Sequence, residues 1–107
     1  MTELEELSVT INELNNIWPL LEGDDKNRIL DERDRLDELA SELAYKTINQ
    51  GEPALQAAID SLKEATQLAN DVKKSIESLT VKTEKVAKLV KKTSKAAGKV
   101  ASLIALL

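Results

Sequence analysis

At 107 residues the chain is long enough for one domain with one modest core, and an apolar fraction of 42 % places it with folded rather than disordered chains. It has no Cys, which removes disulfide and thiol chemistry, and no His, which removes the commonest general base and metal ligand together. Three Gly and two Pro are too few for the turns of a β fold, and the net charge of −4 hides a split: 13 acids against 5 bases over residues 1–50, 6 against 10 over residues 51–107.

Packing falls to Leu, Ala, Val and Ile, because there is no Phe and only one each of Trp, Tyr and Met. Such aliphatic side chains suit seams between helices better than the core of a sheet sandwich. The expected fold is all-α, a single helical domain over residues 1–107. It is either a three- or four-helix bundle or an elongated helical hairpin with a long coiled-coil-like C-terminal helix.

The first helix is predicted over about residues 3–17, with Thr2 as N-cap and Glu5 closing a capping box. Its apolar stripe is Leu4, Leu7, Ile11, Leu14 and Trp18. Pro19 disfavours the helical conformation at Trp18 and ends the helix there, leaving Trp18 to cover the end of the core. Leu20 and Leu21 are too apolar for a free loop and are expected to tuck under the helices. Asp24 is the expected N-cap of a second helix over residues 25–49, and Asp25 complements the dipole of its first turn. Ile29, Leu36, Leu39, Leu43 and Thr47, with Ala40 and Ala44 beside them, form its inner face. Pairs such as Asp31/Arg35 support its outer face.

Gly51-Glu52-Pro53 is the clearest break in the chain: Gly stops one helix and Pro suits the first turn of the next. A third helix is predicted over 53–78 with the seam Leu55, Ile59, Leu62, Thr66 and Ala69, and a fourth over 80–107. A second three-residue step in a row, from Ala69 to Val72, reads as a stammer. From there the heptad runs Val72, Ile76, Leu79, Thr83, Val86, Val90, Thr93, Ala97, Val100, Ile104 and Leu107. Between Ser78 and Thr83 there is no Gly or Pro, only a cluster of β-branched residues. The last two helices are therefore either separate, with Ser78 or Thr80 as cap, or one rod of about 80 Å at roughly 1.5 Å per residue.

Asp31, Asp34 and Glu38 share one helical face, but carboxylate metal sites in bundles add a Glu-x-x-His motif, and Arg33 and Arg35 neutralise these acids. A solvated charged face is the better account, and no metal or cofactor is expected. The glycines are scattered and cradle no phosphate, and no Ser has an activating base in its sequence neighbourhood, so no enzyme is expected. The basic half has no Arg beyond Arg35 and no aromatic residue beyond Tyr45, which argues against nucleic acid as a partner. The acidic start, Met1-Thr2-Glu3-Leu4-Glu5-Glu6, does not read as a secretory leader, so a cytoplasmic location, free or peripheral to a membrane, is expected.

The C-terminal region points to an interaction protein. The seam Val86, Val90, Ala97, Val100, Ile104 and Leu107 needs a helix to cover it, and Lys85, Lys88, Lys92, Lys95 and Lys99 trace a basic ridge beside it. The leading expectation is a non-catalytic self-association, scaffold or adaptor module. It would be a homo-oligomer whose ridge meets an acidic helical surface such as residues 25–42. The alternative is a membrane-active or membrane-attached helical protein, such as a pore component, laying the basic amphipathic helix 82–107 on an anionic surface. That segment has no Trp, Tyr or Phe to anchor it at a lipid interface. Small residues four apart, Ser94, Gly98 and Ser102 beside Ala97, Ala101 and Ala105, lead to the expectation of a close helix crossing at Gly98.

Overall fold

The structure, a computed structural model, describes residues 3–44, 46, 53–77 and 83–107. Four packed helices make up almost all of them: α1 (Glu3–Ile17), α2 (Gly23–Leu43), α3 (Pro53–Glu77) and α4 (Thr83–Ala105), with a 3-10 turn over Trp18–Leu20. There is no strand among the described residues. The all-α expectation holds, in a body measuring 43 × 19 × 18 Å.

Each helix packs on two others, α1 on α2 and α3, α4 on α2 and α3. Asn15 Oδ1 accepts from Arg33 Nε at 3.0 Å, while Lys26 Nζ lies 5.5 Å from the centre of the Trp18 ring. Later residues of α1 thus meet earlier residues of α2, so these two helices run antiparallel. In the same way Ser75 meets Lys85 and Glu64 meets Lys92, which makes α3 and α4 antiparallel neighbours and not one continuous rod.

The buried stripes follow from helical spacing, but not in the register expected. In α3 the stripe is Leu55, Ala58, Leu62, Ala65, Ala69 and Val72, a regular three-four alternation. Ile59 and Thr66 sit at its edge, so the stammer disappears once Ala58 and Ala65 take the centre. The reason is that α3 is clasped between α1 and α4, and small side chains at the middle of its face let both neighbours approach. At the α1 contact Thr10 is fully buried. Its Oγ1 lies 2.9 Å from Thr66 Oγ1, 3.0 Å from Glu6 O and 3.3 Å from Leu62 O. Thr66 donating to Thr10, and Thr10 to a carbonyl, satisfies both hydroxyls, as burial requires.

α1 ends where Pro19 ends it, and Trp18 is half-buried against the core. The pair Leu20 and Leu21 divides: Leu21 is buried, whereas Leu20 is 54 % exposed, because adjacent side chains of a tight turn diverge and one alone can face inward. Asp24 is not the cap of α2. That helix begins at Gly23, whose φ of +61° turns the chain into it, with Glu22 at the cap position making no side-chain cap bond and Asp24 and Asp25 both in the first turn. α2 buries Ile29, Leu36 and Leu43 and stops at Leu43, short of the expected residue 49. The residues that follow, Tyr45, Thr47 and Ile48, are poor helix formers. The expectations for the Thr2 cap, the Leu4, Thr47, Leu79 and Thr83 side chains, Gly51, and the Ser78 or Thr80 cap fall outside the described residues and side chains.

Val100 is 1 % exposed, and Asp34 stands on the outside of α2. Val100→Asp is expected to destabilise by about 3–5 kcal/mol, since it buries an unpaired carboxylate. Asp34→Lys is expected to change stability by less than about 0.5 kcal/mol. Urea unfolding followed by circular dichroism measures both, and equal midpoints would show that the α4 stripe is not buried in the chain.

Candidate functional site

The residues singled out from sequence lie on α4, which has an inner face and two flanks. Inward it buries Val86, Leu89, Thr93, Ala96, Ala97, Val100 and Leu103. Of the expected seam, Val86, Ala97 and Val100 are therefore part of the chain's own core, and Val90 and Ile104 are partly buried against it. Leu107 lies past the helix end, 40 % exposed beside Leu106 at 63 %. Leu89, Ala96 and Leu103 were not legible as core. Each sits in an apolar doublet (Leu89-Val90, Ala96-Ala97, Leu103-Ile104) that fits a heptad in either register. Thr93, polar but fully buried, donates to Leu89 O at 2.9 Å and so needs no partner from another helix.

The flank toward α3 carries much of the lysine ridge. Lys85 Nζ donates to Ser75 Oγ at 2.8 Å, and Ser75 in turn donates to Asp71 O at 3.0 Å. Lys92 Nζ pairs with Glu64 Oε2 at 3.4 Å. Between these contacts run two adjoining hollows of about 450 and 250 Å³, which share Leu68, Asp71 and Lys88. Lys95 and Lys99 are exposed. The ridge was expected to meet the acidic surface 25–42. α4 does pack beside α2, yet the ion pair that α4 makes among the described residues is with Glu64 of α3. The cause is rotational: α4 turns Ala87, Val90 and Ser94 toward α2, with Lys88 and Lys91 at the same groove, and carries Lys85 and Lys92 around to α3.

The flank toward α2 encloses an open groove of about 580 Å³, where Arg28 and Glu32 stand level with residues 84–94. Burial pushes the Glu32 carboxyl pKa above its ordinary value. The nearby Arg35 charge opposes this and Asp31 adds to it. One Glu32 carboxylate oxygen is buried with no hydrogen-bond partner. Gly98 shows no close crossing: a Cβ built on it meets nothing within 4 Å. The close packing of this set falls instead on Ala97, which is fully buried.

On the outside of α2, Asp31, Asp34 and Glu38 are all exposed, and Arg33 Nη1 pairs with Asp34 Oδ1 at 3.0 Å. No group of three or more acidic side chains that could hold a metal ion occurs among the described residues. Nor, among them, is any helix long and apolar enough to cross a membrane. No protein-family model, curated protein or solved structure matches the chain. The grooves along α4 are open and flanked by the ammonium groups of Lys85, Lys88, Lys91 and Lys92.

Two substitutions test this description. A carboxyl whose pKa is raised on folding contributes stability that is full below its unfolded pKa, near 4.5, and lost as the pH rises through the folded value. Arg28, Lys88, Lys91 and Glu84 line the groove with Glu32, and the opposing charge of nearby Arg35 does not outweigh the burial. Glu32→Gln is therefore expected to raise the melting temperature at neutral pH, with a gain that shrinks as the pH falls toward 4.5. A gain independent of pH would contradict the burial account. Gly98→Ala is expected to stabilise the isolated chain by about 0.5–1 kcal/mol, because a methyl group fits there and glycine weakens a helix. Loss of stability in chemical denaturation would place a hidden contact at that position.

Proposed function

We propose that the protein is a non-catalytic helical module whose role is self-association, as a scaffold or adaptor, within a four-helix bundle that presents α4 as its interaction helix. The observation that carries this reading is the division of α4. Its apolar stripe faces inward, while Lys88, Lys91, Lys95 and Lys99 are exposed and make no ion pair among the described residues. A row of cations of this kind chooses a partner and an orientation more than it adds stability. At the end of the same helix Leu106 and Leu107 add exposed apolar surface.

The membrane reading draws on the same lysines. It is the weaker one because the apolar face that would enter lipid is covered by α2 and α3. Lipid binding by that face requires α4 to leave the packing, and with it the burial of Val86, Leu89, Val100 and Leu103, each worth about 1.5–3 kcal/mol.

Multi-angle light scattering at micromolar concentration is expected to give a mass above the 11.8 kDa of one chain. A single-chain mass, or quantitative flotation with anionic vesicles, would overturn self-association as the function.

A further inference from the structure

The outer faces of α2 and α4 carry opposite charges in the same spacing. On α2, Asp31, Asp34 and Glu38 are exposed at steps of three and four residues, and on α4 Lys88, Lys91 and Lys95 are exposed at the same steps. The two triplets stand within about one helical turn of each other in height, because Arg28 and Glu32 line one groove with residues 84–94.

The helix directions follow from the levels. Thr10 is level with Leu62 and Thr66, and Glu64 between them is level with Lys92. Farther along α1, Asn15 is level with Arg33, in the part of α2 that stands opposite residues 84–94. Moving toward the end of α1 therefore means moving toward the start of α4, as it does for α2, so α2 and α4 run in the same direction.

Resting on the self-association reading, we infer that the face formed by α2 and α4 is a self-complementary interface, which pairs with a second copy of this chain about a twofold axis parallel to the helices. That operation lays α2 of each copy against α4 of the other, parallel and at equal height. Asp31, Asp34 and Glu38 then meet Lys88, Lys91 and Lys95, and the contact occurs twice, as an isologous interface demands. A twofold axis across the helices would set α2 against α2, with acid on acid, and charge rejects it. The open groove between α2 and α4 is lined by Lys88 and Lys91 of the basic row, with Arg28 and Glu84, and by Ala87, Val90 and Ser94, side chains small enough to let a second helical surface approach. A 43 × 19 Å side offers on the order of 800 Å², what one partner of a standard interface buries.

The test uses two triple variants of the full chain. The first is Lys88→Glu with Lys91→Glu and Lys95→Glu, and the second Asp31→Lys with Asp34→Lys and Glu38→Lys. Each should fall to the single-chain mass, because like charges then face each other. An equimolar mixture should return to twice 11.8 kDa, because the reversed rows complement one another. If each variant alone keeps the wild-type mass, self-association stands and this interface is overturned. If wild type is itself a single chain, self-association fails and the interface falls with it. A mixture that stays at one chain, or grows past two, overturns the twofold pairing. Should a triple variant lose helicity, the single changes Lys91→Glu and Asp34→Lys serve instead. Each should raise the dissociation constant at least about tenfold, and the mixed pair should recover most of the loss; an unchanged constant overturns the inference.

Discussion

The helices must come close together, because nothing in the core is wide. The buried apolar side chains are Leu, Ile, Val and Ala, and the stripe of α3 alternates leucine with alanine before closing on Ala69 and Val72. Close contact shows most directly where the Thr10 hydroxyl of α1 reaches the backbone oxygen of Leu62 at 3.3 Å and the Thr66 hydroxyl at 2.9 Å. Cores of this kind gain their stability from many interlocked contacts, none large, and tolerate neither gaps nor surplus volume. Once α3 is clasped between α1 and α4, the rotation of α4 is decided too: Leu89, Ala96 and Leu103 must turn inward beside Val86, Thr93 and Val100.

That rotation fixes the surface. With the stripe turned in, the lysines distribute over the α3 flank and the outside of α4, where Glu64 and Ser75 hold two of them. The acidic residues of α2 face outward on the neighbouring helix. The opposite charges of the two halves of the sequence thus stay largely at the surface instead of forming a closed internal network. Exposed ion pairs add little to the stability of a fold, so such charges bear on encounter and orientation.

Much of the local structure was legible from residue type. Pro19 ends α1, Pro53 opens α3, and spacing alone identified helices throughout. What failed was rotation and detail. Apolar doublets in α4, and the alanines next to Ile59 and Thr66 in α3, admit two registers. Choosing between them needs the positions of both neighbouring helices, which no single helix encodes. Leu20 looked buried because it is apolar, but only Leu21 of that pair can face inward. Asp24 looked like a cap, but the positive φ of Gly23 starts the helix one residue earlier. Gly98 looked like a crossing point because glycine is costly in a helix, yet its side is open. The lysine ridge itself was visible from its spacing; that Lys85 and Lys92 turn toward Ser75 and Glu64 while Lys88 also lines the groove beside α2 depends on the rotation of α4, and so was not.

The central claim is that α4 belongs to the core of its own chain, leaving charge and not an apolar seam for any partner. Native-state hydrogen exchange, resolved by residue and repeated over a dilution series, measures this directly. The amides of residues 89–103 should exchange only with global unfolding, as slowly as the best protected amides of α1 and α3, and that ranking should not change with protein concentration. Amides of α4 that exchange far faster than those of α3, or whose protection relative to α3 disappears on dilution, would mean that the stripe is covered between chains, contrary to this account.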